Sequence, residues 1–95
     1  MFDEPGIKRL KNSSYEILRL NHHDVTLHSV LTGHDWIIIS YYDSSECYIL
    51  HRHSRREPYH RQKGYYRSLK DALSYIAEHE KWFEAHKMKP RTSEK

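Results

Sequence analysis

The residues best suited to chemistry in this chain are the cations and aromatic rings of residues 51–67, HRHSRREPYHRQKGYYR. Six cations and one acid give this segment a net charge of +5, whereas the whole chain carries only +3. Guanidinium groups pair with phosphate oxygens and aromatic rings stack on bases, so the composition predicts a phosphate-binding loop. The candidate contact residues are Arg52, Arg55, Arg56, Tyr59, Arg61, Lys63, Tyr65, Tyr66, Arg67 and Lys70.

Histidines in the same segment offer ligands for a metal ion. On a strand, His51 and His53 would point to the same side, and His60 or a helical residue would have to supply a third ligand. The arginines around them would repel a cation, so we expect no bound metal and no other cofactor. At about pH 5.5, protonation of the histidines would instead add positive charge to the segment and strengthen phosphate contacts.

The sequence contains no complete catalytic motif. His79 and Glu80 begin like the helix of a zinc protease, but Phe83 stands where the second histidine is required. Cys47, the single cysteine, is followed by residues of high strand propensity, which predicts a buried and unreactive thiol. The three glycines are too scattered to form a phosphate-binding loop. We therefore expect a binding protein rather than an enzyme.

The strands that position the basic segment are predicted from residue propensity. Residues 36–42, WIIISYY, give the strongest strand signal in the chain. A turn at 43–46 separates them from a strand at 47–52, and so short a connection favours an antiparallel hairpin. Patterns bounded by turn residues predict weaker strands at 15–18 and 25–28.

A C-terminal amphipathic helix is predicted after the basic segment. Ser68 can cap its first amide groups, and Leu69, Leu73 and Ile76 fall on one arc when successive residues are set about 100° apart. Glu80 falls within the same arc, where an unpaired carboxylate is unfavourable. Its carboxylate should therefore reach the rim of the helix or meet a basic partner.

Length and pattern together predict one small α+β domain. Its 95 residues support a single modest core. The predicted architecture is an antiparallel sheet of three to four strands, with the C-terminal amphipathic helix packed on one face. Residues 1–13 form either a short helix or an N-terminal arm, residues 14–88 the domain, and residues 89–95 a flexible tail.

Cysteine usage and hydropathy predict the compartment. One cysteine fits a reducing environment, and the longest apolar run, 36–39, is far shorter than the roughly 20 residues that span a bilayer. We therefore expect a cytoplasmic protein with no membrane partner.

Two classes of partner fit these patterns. The first is nucleic acid, with arginines neutralising phosphates and tyrosines stacking on bases. The second is a larger protein, because residues 12–50 carry a net charge of −4 and give the domain two oppositely charged parts. An inhibitor or adaptor of the anti-defence (anti-CRISPR-like) type, from a phage or mobile element, would act in this way. Because both sides of the strand at 36–42 are apolar, a homodimer through the exposed face is a further expectation.

Overall fold

The computed structural model describes residues 1–41, 43–62 and 64–93, with side chains described as far as Ala85. In chain order the elements are α1 (Glu4–Lys11), β1 (Glu16–Leu20), β2 (Asp24–His28), β3 (Asp35–Ser40), β4 (Cys47–Arg52), β5 (His60–Arg61) and α2 (Leu69–Ser93). The predicted α+β class is confirmed. Within the described part of the chain, no helix is both long and apolar enough to cross a membrane.

The five strands of the described residues form one antiparallel sheet in the order of the sequence, β1-β2-β3-β4-β5. The predicted hairpin is present as β3 and β4, in which Trp36 pairs with His51. The sheet exceeds the predicted three to four strands because β5 forms inside the basic segment, where Arg61 pairs with Leu50 and His60 with His51. A strand of two residues carries no alternating pattern of side chains, so it could not be predicted from such a pattern.

One face of the sheet is covered by α2, which confirms the predicted packing of helix on sheet. Leu69 and Ile76 of α2 are fully buried, and Leu73 is nearly so. Burial of each large aliphatic side chain stabilises the fold by about 1.5–3 kcal/mol. The sheet contributes Val25, Leu27, Trp36, Ile38, Cys47 and Ile49 to the same core.

The opposite face of the sheet carries the alternate residues of the same strands. Ile37 and Ile39 of β3 lie there, beside Tyr48 and Leu50 of β4, and all four side chains are half-buried. None of the described helices packs against them, because α2 occupies the other face.

Residues 4–11 form a helix, which decides between the two alternatives predicted for the N-terminus. Asp3 caps α1 by accepting a hydrogen bond from the amide of Gly6 over 3.2 Å. Leu10 is fully buried in the common core. A Cβ atom at Gly6 would lie only 2.8 Å from Cβ of Leu69, so α1 is docked closely on the start of α2.

Helix α2 begins as predicted. The amide of Asp71 donates a hydrogen bond to Oγ of Ser68 over 3.3 Å, which identifies Ser68 as the cap. The predicted flexible tail, 89–95, lies outside the residues whose side chains are described.

Candidate functional site

Arg61 lies on the edge strand β5 within a frame of three tyrosines. Its Cζ atom is 4.2 Å from the ring centroid of Tyr48 and 5.4 Å from that of Tyr65, and its Nη2 donates to the hydroxyl of Tyr41 over 3.3 Å. The hydrogen bond to Tyr41 raises the pKa of Arg61, whose guanidinium is charged at neutral pH in any case. No carboxylate of the described residues forms an ion pair with it. Arg61 is therefore an exposed, oriented cation whose charge is not neutralised by a neighbouring acid.

Arg52 has a different environment, although the sequence placed it in the same candidate set. Its Nε lies 2.8 Å from Oδ2 of Asp35, and its Cζ lies 4.3 Å from the ring centroid of Tyr59. His28 contacts the other oxygen of Asp35 at 2.7 Å. Burial would raise the pKa of Asp35, but the hydrogen bonds from His28 and Arg52 outweigh it and lower that pKa. Arg52 and Tyr59 are thus engaged within the protein.

Arg55 and Arg56 are exposed in the loop between β4 and β5. The loop is folded on itself, since the amide of Glu57 donates to the carbonyl of Ser54 and the amide of His53 donates to the carboxylate of Glu57 over 2.9 Å. These bonds use the backbone and Glu57. The side chains of the two arginines remain at the surface.

The residues after β5 lie at the other end of β4. Tyr66 forms an isolated bridge with Cys47, and its half-buried ring lies 5.2 Å from that of Tyr75. Burial raises the pKa of Tyr66. Arg67 and Lys70 are exposed beside the start of α2, while the predicted contact Lys63 lies outside the described residues. Tyr66 therefore serves packing, whereas Arg67 and Lys70 face solvent.

The exposed cations of the candidate set lie along the β5 side of the sheet. The loop with Arg55 and Arg56 leaves one end of β4, and Tyr66 pairs at its other end, about 17 Å away along a six-residue strand. Tyr65, with 66% of its surface exposed, lies on the same side against Arg61. We call the following set the basic edge: Arg55, Arg56, Arg61, Arg67 and Lys70.

A cluster of histidines lies at the start of β3 and the end of β4, which are adjacent in the antiparallel hairpin. Nδ1 of His34 is 2.9 Å from Nε2 of His51, and the ring of His53 is stacked on that of His34 with centroids 4.4 Å apart. We call these three residues the histidine cluster. The sequence suggested His60 or a helical residue as the third member. His60 is exposed on β5, whereas His79 of α2 lies beside His51 with ring centroids 5.0 Å apart. A register pairing Asp35 with Arg52 sets His34 across from His53, and this register was the signal that could have identified His34.

Burial changes the expected titration of this cluster. It lowers the pKa of His51 to about 3, with further lowering by the neighbouring histidines, and it also lowers the pKa of His34. His51 is therefore neutral at pH 5.5. The expected gain of charge in the basic segment on acidification therefore does not extend to His51. The sequence could not predict this, because it does not show that the ring is buried.

Glu80 is buried in the layer between sheet and helix. Its carboxylate accepts hydrogen bonds from the hydroxyl of Ser29, from that of Thr32 over 2.9 Å and from the indole of Trp36 over 3.0 Å. The expectation that it reaches the rim or meets a basic partner is corrected, because three uncharged donors satisfy it instead. Glu80 thus joins α2 to β3 and to the connection between β2 and β3.

A groove opens beside Glu80 between α2 and the connection from β2 to β3. It has a volume of about 690 Å³, and Tyr15, Ala77 and Lys81 contribute to its walls. Val30 and Leu31 also line it, with 75% and 62% of their surfaces exposed. The groove therefore presents apolar side chains to solvent.

Comparisons with known proteins identify no relative: neither protein-family models, nor curated proteins, nor solved structures match this chain.

Proposed function

We propose that this protein binds nucleic acid without catalysing a reaction, and that the basic edge contacts the phosphates. The observation that carries the proposal is Arg61, an exposed guanidinium held by the rings of Tyr48 and Tyr65 and by the hydroxyl of Tyr41. An arginine fixed in this way loses little side-chain freedom when it pairs with a phosphate.

The other cations of the basic edge extend the contact along the strand. Arg55 and Arg56 lie beyond one end of β4, and Arg67 and Lys70 lie beside the other. The separation of about 17 Å along β4 corresponds to several phosphates of a nucleic-acid strand. Tyr65 offers a largely exposed ring on which a base can stack.

The test is a titration of short labelled single- and double-stranded DNA and RNA, followed by fluorescence anisotropy at low and at physiological salt. Affinity should fall steeply as salt rises, because each neutralised phosphate releases counterions. Arg61→Ala should weaken binding and reduce the slope of log affinity against log salt by about one. Arg61→Lys should bind with intermediate affinity, since it keeps the charge but loses the planar contact with the rings.

Arg19→Ala is the matched control. Arg19 is also an exposed arginine on an edge strand, but it lies on β1 and pairs with Asp24 at 3.1 Å. Its loss should leave affinity unchanged. Equal losses in the Arg61 and Arg19 variants would contradict a defined surface, and absence of binding to all four nucleic acids at low salt would exclude the function.

A second candidate function, binding of another protein, is supported by the apolar groove. Val30 and Leu31 are adjacent, strongly exposed and distant in sequence from the basic segment. Exposed apolar neighbours of this kind are typical of protein-binding surfaces. Light scattering over a series of concentrations tests whether the partner is a second copy. A dimer lost in Leu31→Asp would place the contact at the groove, and a monomer at every concentration would point to a different protein.

A further inference from the structure

The geometry points to a metal site: we propose that His34, His51 and His53 bind one divalent transition-metal ion of the zinc type. Each histidine offers one ring nitrogen, and these three atoms all lie within 4.8 Å of one another. The site goes beyond nucleic-acid binding and does not depend on it. It also reverses the expectation from the sequence, which did not bring His34 into the cluster.

Two of the three ligands are already close to the required spacing. In a tetrahedral zinc site with bonds of about 2.0–2.1 Å, neighbouring ligand atoms are separated by about 3.3 Å. Nδ1 of His34 and Nε2 of His51 are 2.9 Å apart, so an ion would enter between them with a small expansion and replace their hydrogen bond. His53 is exposed, and its ring can therefore turn to complete the set.

The sheet and the helix hold the two buried ligands in place. His51 pairs with Trp36 across the β3–β4 hairpin, and its ring is stacked on the indole with centroids 3.8 Å apart. The ring of Phe83 on α2 lies edge-on to that of His34 at 4.4 Å. Ligands fixed by strands and by packed rings are arranged for binding before the ion arrives.

The charges around the cluster permit a cation, contrary to the argument from sequence. Arg52 is neutralised by Asp35 at 2.8 Å. The carboxylate of Glu57 lies at the backbone of His53, and that of Glu80 is bonded to Trp36, so both acids lie near the cluster. The remaining arginines of the loop, Arg55 and Arg56, are exposed to solvent, where water and salt screen their charges.

Three histidine ligands leave a fourth position on a tetrahedral ion. Such sites commonly hold water there, and the exposure of His53 gives solvent access to the cluster. A bound ion would join the residue before β3, a residue of β4 and the first residue after it. It would therefore fix the base of the loop that carries Arg55 and Arg56.

The experiment is a calorimetric titration of Zn²⁺ into the full chain, prepared without a histidine tag, stripped with a chelator and placed in a buffer that does not bind metal. We expect one ion per chain and a rise in melting temperature on adding zinc. Because His53 is exposed, His53→Ala should retain the fold. It should nevertheless lower zinc affinity by at least about 10-fold, because removing a residue that only hydrogen-bonds to a metal ligand usually costs at least this much.

His22→Ala is the matched control, since His22 is an exposed histidine in the turn between β1 and β2. It should bind zinc as the unmodified chain does. Cobalt adds a second measurement, because its visible absorption reports tetrahedral coordination in the unmodified chain and its loss in the His53 variant. No saturable binding, undiminished affinity in His53→Ala or equal losses in both variants would overturn the proposal.

Discussion

Trp36 of β3 donates a hydrogen bond from its indole Nε1 to Oε2 of Glu80 on α2, over 3.0 Å and within the buried layer of the domain. The same carboxylate accepts hydrogen bonds from the hydroxyls of Ser29 and Thr32. One side chain of the helix thus satisfies polar groups from a strand and from a connection. The arrangement fixes α2 on the sheet both in position and in rotation about its axis.

Glu80→Ala should therefore lower the free energy of unfolding by about 2–5 kcal/mol, because it leaves several buried donors without an acceptor. The measurement is urea unfolding followed by circular dichroism. Glu78→Ala, at an exposed position of the same helix, is the control and should change stability by no more than about 0.5 kcal/mol. Equal stabilities of the two variants would contradict a structural role for the carboxylate.

Ile76→Ala should lower the free energy of unfolding by about 2–5 kcal/mol, since it opens a cavity where α2 meets the sheet. Ile76 is fully buried in the common core. Thermal melting of the variant beside Lys81→Ala, an exposed change on the same helix, measures the difference. A melting temperature unchanged by the loss of Ile76 would be incompatible with this packing.

Gly6→Ala should destabilise the protein by about 1–3 kcal/mol, the usual effect of overpacking a close contact. The added Cβ would approach Oδ1 of Asp3 to 2.7 Å and Cβ of Leu69 to 2.8 Å, so α1 would have to move away from α2. Lys8→Ala, at an exposed position of α1, tests the same helix without the close contact. If chemical denaturation finds Gly6→Ala as stable as the unmodified chain, α1 is not docked as described.

The thiol of Cys47 should resist alkylation in the folded protein. Burial raises its pKa to about 12, so almost none of the reactive thiolate is present at pH 8, and the sulfur itself is enclosed. Mass spectrometry after iodoacetamide treatment, with and without denaturant, measures this protection. Rapid modification without denaturant would show that the strand opens readily.

The parts of the fold that the sequence predicted are those that depend on local pattern. Residues of high β propensity around a short turn indicated the β3–β4 hairpin, and the spacing of Leu69, Leu73 and Ile76 indicated the buried side of α2. The remaining features depend on contacts across the fold. His34 joins His51 only through the register of the hairpin, and Glu80 finds its donors only once α2 has docked.

The candidate contact residues were chosen in a similar way. Composition alone indicated a cationic segment, and several of its arginines are exposed in the structure. It could not distinguish Arg52, which is paired with Asp35, from Arg61, which is held by tyrosines. The difference arises from which strand each residue joins and which acid stands opposite.

The two edge strands of the sheet also affect whether two copies of the protein can associate edge to edge. The edge strand β5 has only two residues, one of them Arg61, and at the opposite edge the pairing of β1 with β2 is interrupted between Ile17 and Arg19. Short, charged or irregular edge strands are poor templates for an incoming strand. Continuation of the sheet from one molecule into the next, the first step towards fibrous aggregates, is therefore disfavoured at both edges.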